Sequence, residues 1–219
     1  MSNFFNMDNA FFTIMGKVWD MILLSIIWVL CSMTLVLIGP ATTALYYTVV
    51  KVIRRERGYV TREFFHSFKD NLKLGTITTI IFFVVSYIMY IDFTYSKLML
   101  DDGKSYGSLL IAGFIAITTV LIFVLIFVFP ILSRFTLNLK GLFKTSFIIA
   151  MKHFPTTLLM AIVIAVFGLA VYIIYPAIFI APALCCLVCS FLIERVFKKY
   201  MPKPEGTEEE TGKDLWYWE

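Results

Sequence analysis

The sequence predicts an all-α fold: a polytopic transmembrane helical bundle of five to six membrane segments with a cytoplasmic C-terminus. Three observations carry this. Hydrophobic residues make up 60% of the 219 and charged residues 16%, against about 45–50% and 25% in a soluble domain. Several apolar runs reach the roughly 20 residues that a helix needs to cross the hydrocarbon core. The basic residues behind the net charge of +4 collect in the stretches between those runs, which is the pattern of membrane topology rather than of a nucleic-acid surface.

In chain order, residues 1–17 repeat bulky side chains at helical spacing, with Asn3, Asn6, Asp8, Asn9 and Lys17 between them. They read as an amphipathic helix lying in the membrane interface. The apolar run 18–38 is too long for the core of a signal peptide and is followed by no small-residue cleavage site, so it reads as a retained span. Gly39-Pro40 then ends one helix and opens another. The segment 41–53 is apolar on nearly every side, too greasy for a surface helix. Either it recrosses the bilayer as a hairpin, giving six segments, or it rests at the cytoplasmic surface, giving five. Further spans are read at 76–93, 108–132, 156–175 and 177–196. Together they make residues 18–200 the transmembrane domain. Residues 201–219 form a flexible acidic cytoplasmic tail that closes on Trp216-Tyr217-Trp218.

The loops give the orientation. Residues 51–73 carry Lys51, Arg54, Arg55, Arg57, Arg62, Lys69 and Lys73, and residues 134–152 carry Arg134, Lys140, Lys144 and Lys152. Both loops, and the segment beginning Arg195, are expected on the cytoplasmic side by the positive-inside rule. Between them, Lys97 and Lys104 are offset by Asp101 and Asp102, and Tyr175-Pro176 is a bare turn; these are expected outside. No internal repeat is evident by eye.

Little in the sequence speaks for chemistry. Asp20, Lys51, Asp92 and Glu194 all fall within a turn or two of a span end, and no long span holds an ionisable group at mid-depth. That argues against a proton-coupled carrier. His66 and His153 lie in loops without metal-ligand spacing, and neither a nucleophile elbow nor a phosphate-binding glycine loop occurs. No enzyme, metal site or cofactor is expected. Cys185, Cys186 and Cys189 suit close helix packing better than redox or metal chemistry. Pro130 and Pro182 are expected to kink their helices, and Gly113 and Gly168 to allow close helix approach. The segment with Phe64, Phe65, Phe68, Lys69 and Asn71 mixes rings and cations just before a span. It reads as an interface anchor or as a docking surface for a partner.

Several blocks resemble the YesL-like family of uncharacterised bacterial integral membrane proteins. The first runs from Gly39-Pro40-Ala41 through Lys51, then Arg55-x-x-x-Tyr59 and Phe64-Phe65-x-x-Phe68-Lys69-x-Asn71. Later ones are Phe129-Pro130 through Phe135, Ala150-x-Lys152-His153-x-Pro155, Pro182-Ala183-Leu184 and Phe197-x-Lys199-Tyr200. The resemblance covers about residues 4–200 and implies a multi-pass protein of the bacterial plasma membrane, for which the family offers no established activity. Its genes often stand beside carbohydrate ABC importers, which implies a non-enzymatic accessory role with importer permease subunits as partners, besides the lipid bilayer itself. The Glu-Ala-Ala…Gly loop by which ABC permeases grip their ATPase is missing, so the chain does not resemble the permease itself. The alternative is a small facilitator that itself carries a neutral solute such as an oligosaccharide.

Overall fold

The computed structural model of the chain describes residues 10–101 and 106–200. Among them are eight α-helices and no strand: α1 (Ala10–Ser32), α2 (Ile38–Thr48), α3 (Val60–Asp70), α4 (Leu72–Asp101), α5 (Tyr106–Arg134), α6 (Leu139–Lys152), α7 (Phe154–Ile173) and α8 (Ala181–Phe197). Five stretches are long and apolar enough to cross a membrane: 14–32, 35–54, α4, α5 and α7. α8 has 17 residues. The acidic tail and the first nine residues lie outside the described part. α1 passes Lys17 without a break, so the amphipathic lead-in and the first span share one helix from Ala10 onward.

A hairpin does form here, but its turn lies before Gly39 and Pro40: α1 ends at Ser32, and both residues sit in the first turn of α2 rather than between two helices. A 3-10 turn at Leu35–Leu37 follows α1, and α2 begins at Ile38. α2 then returns antiparallel to α1: Trp28 Nε1 donates to Thr42 Oγ1 (3.3 Å) near one end, and Lys17 pairs with Glu56 near the other. α2 is the most enclosed of the five apolar stretches. A methyl group on Gly39 would sit 2.7 Å from the Gly75 carbonyl oxygen and 2.8 Å from the Phe129 ring, so only glycine lets α2 approach α4 this closely. α2 runs on into a π-helical stretch, Val49–Arg54. The chain turns there through Glu56 (φ 58°) and Gly58 (φ 86°) and comes back as α3. Lys51 bonds to Glu63 (2.9 Å) across that return.

The next part of the chain repeats this plan. α6 folds back along the end of α5 as α3 folds back along α2, and a single non-helical residue separates each return helix from the long helix after it. These residues are Asn71 (φ −100°, ψ 4°) and His153 (φ −110°, ψ 41°). The buried positions match at one constant offset. Val60, Phe64, Ser67, Gly75 and Thr78 in α3 and α4 correspond to Leu142, Ser146, Ile149, Thr157 and Met160 in α6 and α7. Thr79, Ser96 and Ala150 are buried in one unit only. The contacts that close the two returns differ: Gly75 meets Gly39 in the first, and the Phe154 ring meets Phe123 (5.6 Å between centroids) in the second.

The core has two centres. Leu24, Ala44, Val49 and Phe64 join α1, α2 and α3, while Phe127, Leu142, Met160, Ile193 and Phe197 join α5 to α8. Large apolar side chains lie exposed along α4, the first half of α5 and α7, as a lipid-facing surface requires. Thr78 and Thr79 in α4 and Thr119 in α5 bond to carbonyls of their own helix, at Leu74, Gly75 and Ile115, which satisfies these hydroxyls in an apolar setting.

Two architectural expectations need correction. Gly113 and Gly168 face open space; the close approaches are at Gly39, Gly75 and Gly107, where the next helix leaves no room for a side chain. Pro182 opens α8 at its first turn, where its missing N–H costs no hydrogen bond. Pro130 does lie inside its helix.

Candidate functional site

Glu194 is the charge the sequence concealed. It lies on the buried face of α8 with Ser190 and Phe197, and is only 2% exposed. Arg134, the last residue of α5, donates to its Oε1 through Nη2 (2.7 Å) and Nε (3.2 Å), and the Tyr46 hydroxyl from α2 donates to the same oxygen at 2.8 Å. Oε2 accepts no hydrogen bond and has the Arg55 guanidinium 3.8 Å away. A carboxylate this deep is tolerable only when paired and hydrogen-bonded. The node therefore joins both helical units to α8, Tyr46 and Arg55 from the first and Arg134 from the second.

Packing around the node fixes its geometry. The Phe197 ring stands edge-on to both Tyr46 (6.5 Å) and Phe135 (5.5 Å). Arg54 donates to the Ser190 carbonyl (3.1 Å) and stacks over Phe191 (4.5 Å). Cations at the C-terminal half of α8 complement its dipole.

Beside Arg134 lies an open cleft of about 470 Å³ with a mixed polar and apolar lining. One wall comes from the first unit, with Tyr47, Ser67, Asp70 and Asn71. The other is the turn after α5, with Phe135, Thr136 and Asn138. Asn71 donates to the Ser67 carbonyl at 2.9 Å. Asn138 opens α6 without a side-chain bond to the helix's first turn. A second hollow of about 410 Å³ lies between α4 and α5, lined mainly by apolar side chains with Ser86, Thr118 and Thr119 among them.

The five residues read as a docking segment do not share one surface. Phe64 is fully buried, stacked on Phe68 (6.1 Å) and packed against α1 and α2, so it anchors α3 and is not available to a partner. Phe68 is half-buried beside it. Phe65, 46% exposed, and Lys69 face outward, and Asn71 belongs to the cleft. Helical periodicity within an aromatic-rich segment could have separated Phe64 from Phe65. Cys185, Cys186 and Cys189 are free thiols packed against the core, and among the described residues no three His, Cys, Asp or Glu side chains are grouped to hold a metal ion. His153 stands 3.2 Å from the Tyr200 hydroxyl, and His66 pairs with Asp70 on the outer face of α3. Sequence reading missed Glu194, Arg134 and Tyr46 as a set. The available signal was an acid one turn before a phenylalanine on the same face of the last apolar run.

Comparison with known proteins gives two matches. Residues 21–93, which include the α1–α2 hairpin and α3, match the family model described as "Protein of unknown function, DUF624". The chain is 27% identical over 188 residues to "Uncharacterized protein YesL" of Bacillus subtilis (strain 168), covering 83% of this chain and 87% of that protein. No solved structure matches.

Proposed function

With both matches supporting a YesL-like family for this membrane-like helical protein, we propose that the chain is a non-enzymatic accessory component of the bacterial plasma membrane. In this reading it crosses the bilayer several times and docks on the membrane subunits of a carbohydrate ABC importer. The observation that supports this most is the outer face of α3. Phe64 and the Lys51–Glu63 bond pin the helix to the bundle, so Phe65 and Lys69 are presented on a rigid, basic and aromatic surface. Preorganised surfaces of this kind bind without paying for ordering. The test is crosslinking in native membranes under sugar induction, followed by purification of the full chain. Importer permease subunits should be recovered, and the pair Phe65→Ala with Lys69→Ala should reduce their yield without changing expression. Recovery of this protein alone would overturn the reading.

The cleft beside Arg134, lined by both polar and apolar side chains, favours a second reading, in which the chain itself captures or passes a neutral solute. Proteoliposomes should then take up oligosaccharide faster than protein-free vesicles, and equal rates would exclude transport.

A further inference from the structure

We infer that the cleft between Asn71 and Asn138 is a binding site for a neutral, polyhydroxylated solute. This deepens the second reading above and rests on the cleft rather than on any partner.

Volume comes first. About 470 Å³ falls within the roughly 300–1,000 Å³ of small-molecule sites. Placement is second. The cleft lies where the two helical units meet, with Tyr47 through Leu74 on one side and Leu132 through Asn138 on the other. Transporters built from repeats hold their solutes at such interfaces. Here the site lies at the end of α5 rather than midway along it, which suits capture at one face of the membrane.

The lining chooses the ligand class. Its two charged residues are Asp70 and Arg134. Asp70 pairs with His66 at 3.5 Å, and Arg134 directs Nη2 and Nε at the buried Glu194 carboxylate. The lining thus carries one charge of each sign, with the guanidinium engaged by Glu194, and Lys51, which reaches the Tyr47 hydroxyl at 3.2 Å, is balanced by Glu63. The other polar groups are hydroxyls and carboxamides: Thr136 and Asn138 at the rim, Ser67, and Tyr47, Asn71 and Ser133, of which Tyr47 accepts from Lys51 (3.2 Å), Asn71 donates to the Ser67 carbonyl (2.9 Å) and Ser133 donates to the Pro130 carbonyl (2.7 Å). Hydroxyls donate and accept, and carboxamides offer both functions in one plane. A polyol presents the same pair of functions at each carbon. The Phe135 ring, held edge-on by Phe197, supplies the flat apolar wall on which C–H faces of a pyranose rest. Leu74, Leu132 and Leu137 add apolar surface around it.

Thr136 and Asn138 are exposed and lie outside the Glu194 node, so changing them should spare the fold. The experiment is equilibrium dialysis of the full chain in lipid nanodiscs against radiolabelled maltose, raffinose and glycerol, with inorganic phosphate as the anionic control. Saturable binding of at least one of the neutral probes is expected. Thr136→Leu and Asn138→Leu should each weaken it at least tenfold with an unchanged melting temperature. Thr136→Val, which removes only the hydroxyl, replaces either leucine variant that fails to fold. Phosphate binding without polyol binding, no saturable binding at all, or full affinity in the folded variants would each overturn the inference. Binding without flux would leave the site standing and reject only transport, and importer capture without polyol binding would do the reverse for docking.

Discussion

The α2–α3–α4 and α5–α6–α7 units share one plan and are held together by different chemistry. In the first, backbone meets backbone at Gly39 and Gly75, and Lys51 bonds to Glu63 across the return. In the second, the Phe123 and Phe154 rings meet, and Leu142, Ile149 and Met160 fill the interior. Position for position, Phe64 is exchanged for Ser146, Ser67 for Ile149 and Gly75 for Thr157. Large and small residues trade places while the buried stripe keeps its spacing. The return helix is thus specified by which positions face inward, and volume is balanced locally. α8 belongs to neither unit and ties them through Glu194.

Breaking that tie should have the largest effect. Arg134→Met leaves Glu194 buried without its main partner and should cost about 3–5 kcal/mol, measured by denaturant unfolding in detergent micelles. Adding Glu194→Leu should restore most of the loss, because the uncompensated charge is then gone. A single variant as stable as the unaltered chain would mean that α8 does not couple the units. Tyr46→Phe removes only the first unit's hydrogen bond to the carboxylate and should cost about 1.5–3 kcal/mol in the same assay.

The next effect isolates the first unit. Gly39→Ala forces α2 away from Gly75 and should cost about 1–3 kcal/mol. Gly168→Ala in α7 meets open space and should change stability by less than about 0.5 kcal/mol. Equal effects at the two glycines would contradict the different closures of the units. The smallest effect concerns the break residue of the second unit. Burial, with Lys199 and Lys152 nearby, holds the His153 imidazole below its ordinary 6.5. The unfolded chain therefore takes up this proton first. The resulting stability is present above pH 6.5 and is lost as the pH falls below it. Melting temperature should drop on acidification below that point, and His153→Gln should flatten the drop slightly.

The helices were legible because apolar length is a strong signal, and the hairpin only in outline, since Gly39 and Pro40 lie in the first turn of α2 and the chain reverses just before them. Ala10 to Ser32 reads less well: the mixture of polar and bulky residues before Lys17 suggests a separate surface helix, yet the backbone continues through it. The repeat was invisible because it survives in burial and not in identity. No comparison of letters pairs Phe64 with Ser146. The node escaped for another reason. A carboxylate near a span end looks like an interface charge, and its partners stand 60 and 148 positions away in sequence. Tyr47 and Asn138, which share the cleft, likewise come together only when the two units pack.

The Glu194 node also dates the protein's own assembly. A chain folds from its N-terminus as it leaves the ribosome, so Arg55 and Arg134 are in place before their carboxylate has been made. Until α8 packs against the other helices, the acceptor that Arg134 and Tyr46 share in the finished bundle is absent. A product interrupted between residues 134 and 194 lacks the contact that ties both units to α8, and it should be short-lived in pulse-chase. The order of synthesis thus makes the last helix the one that completes the tie between the two units.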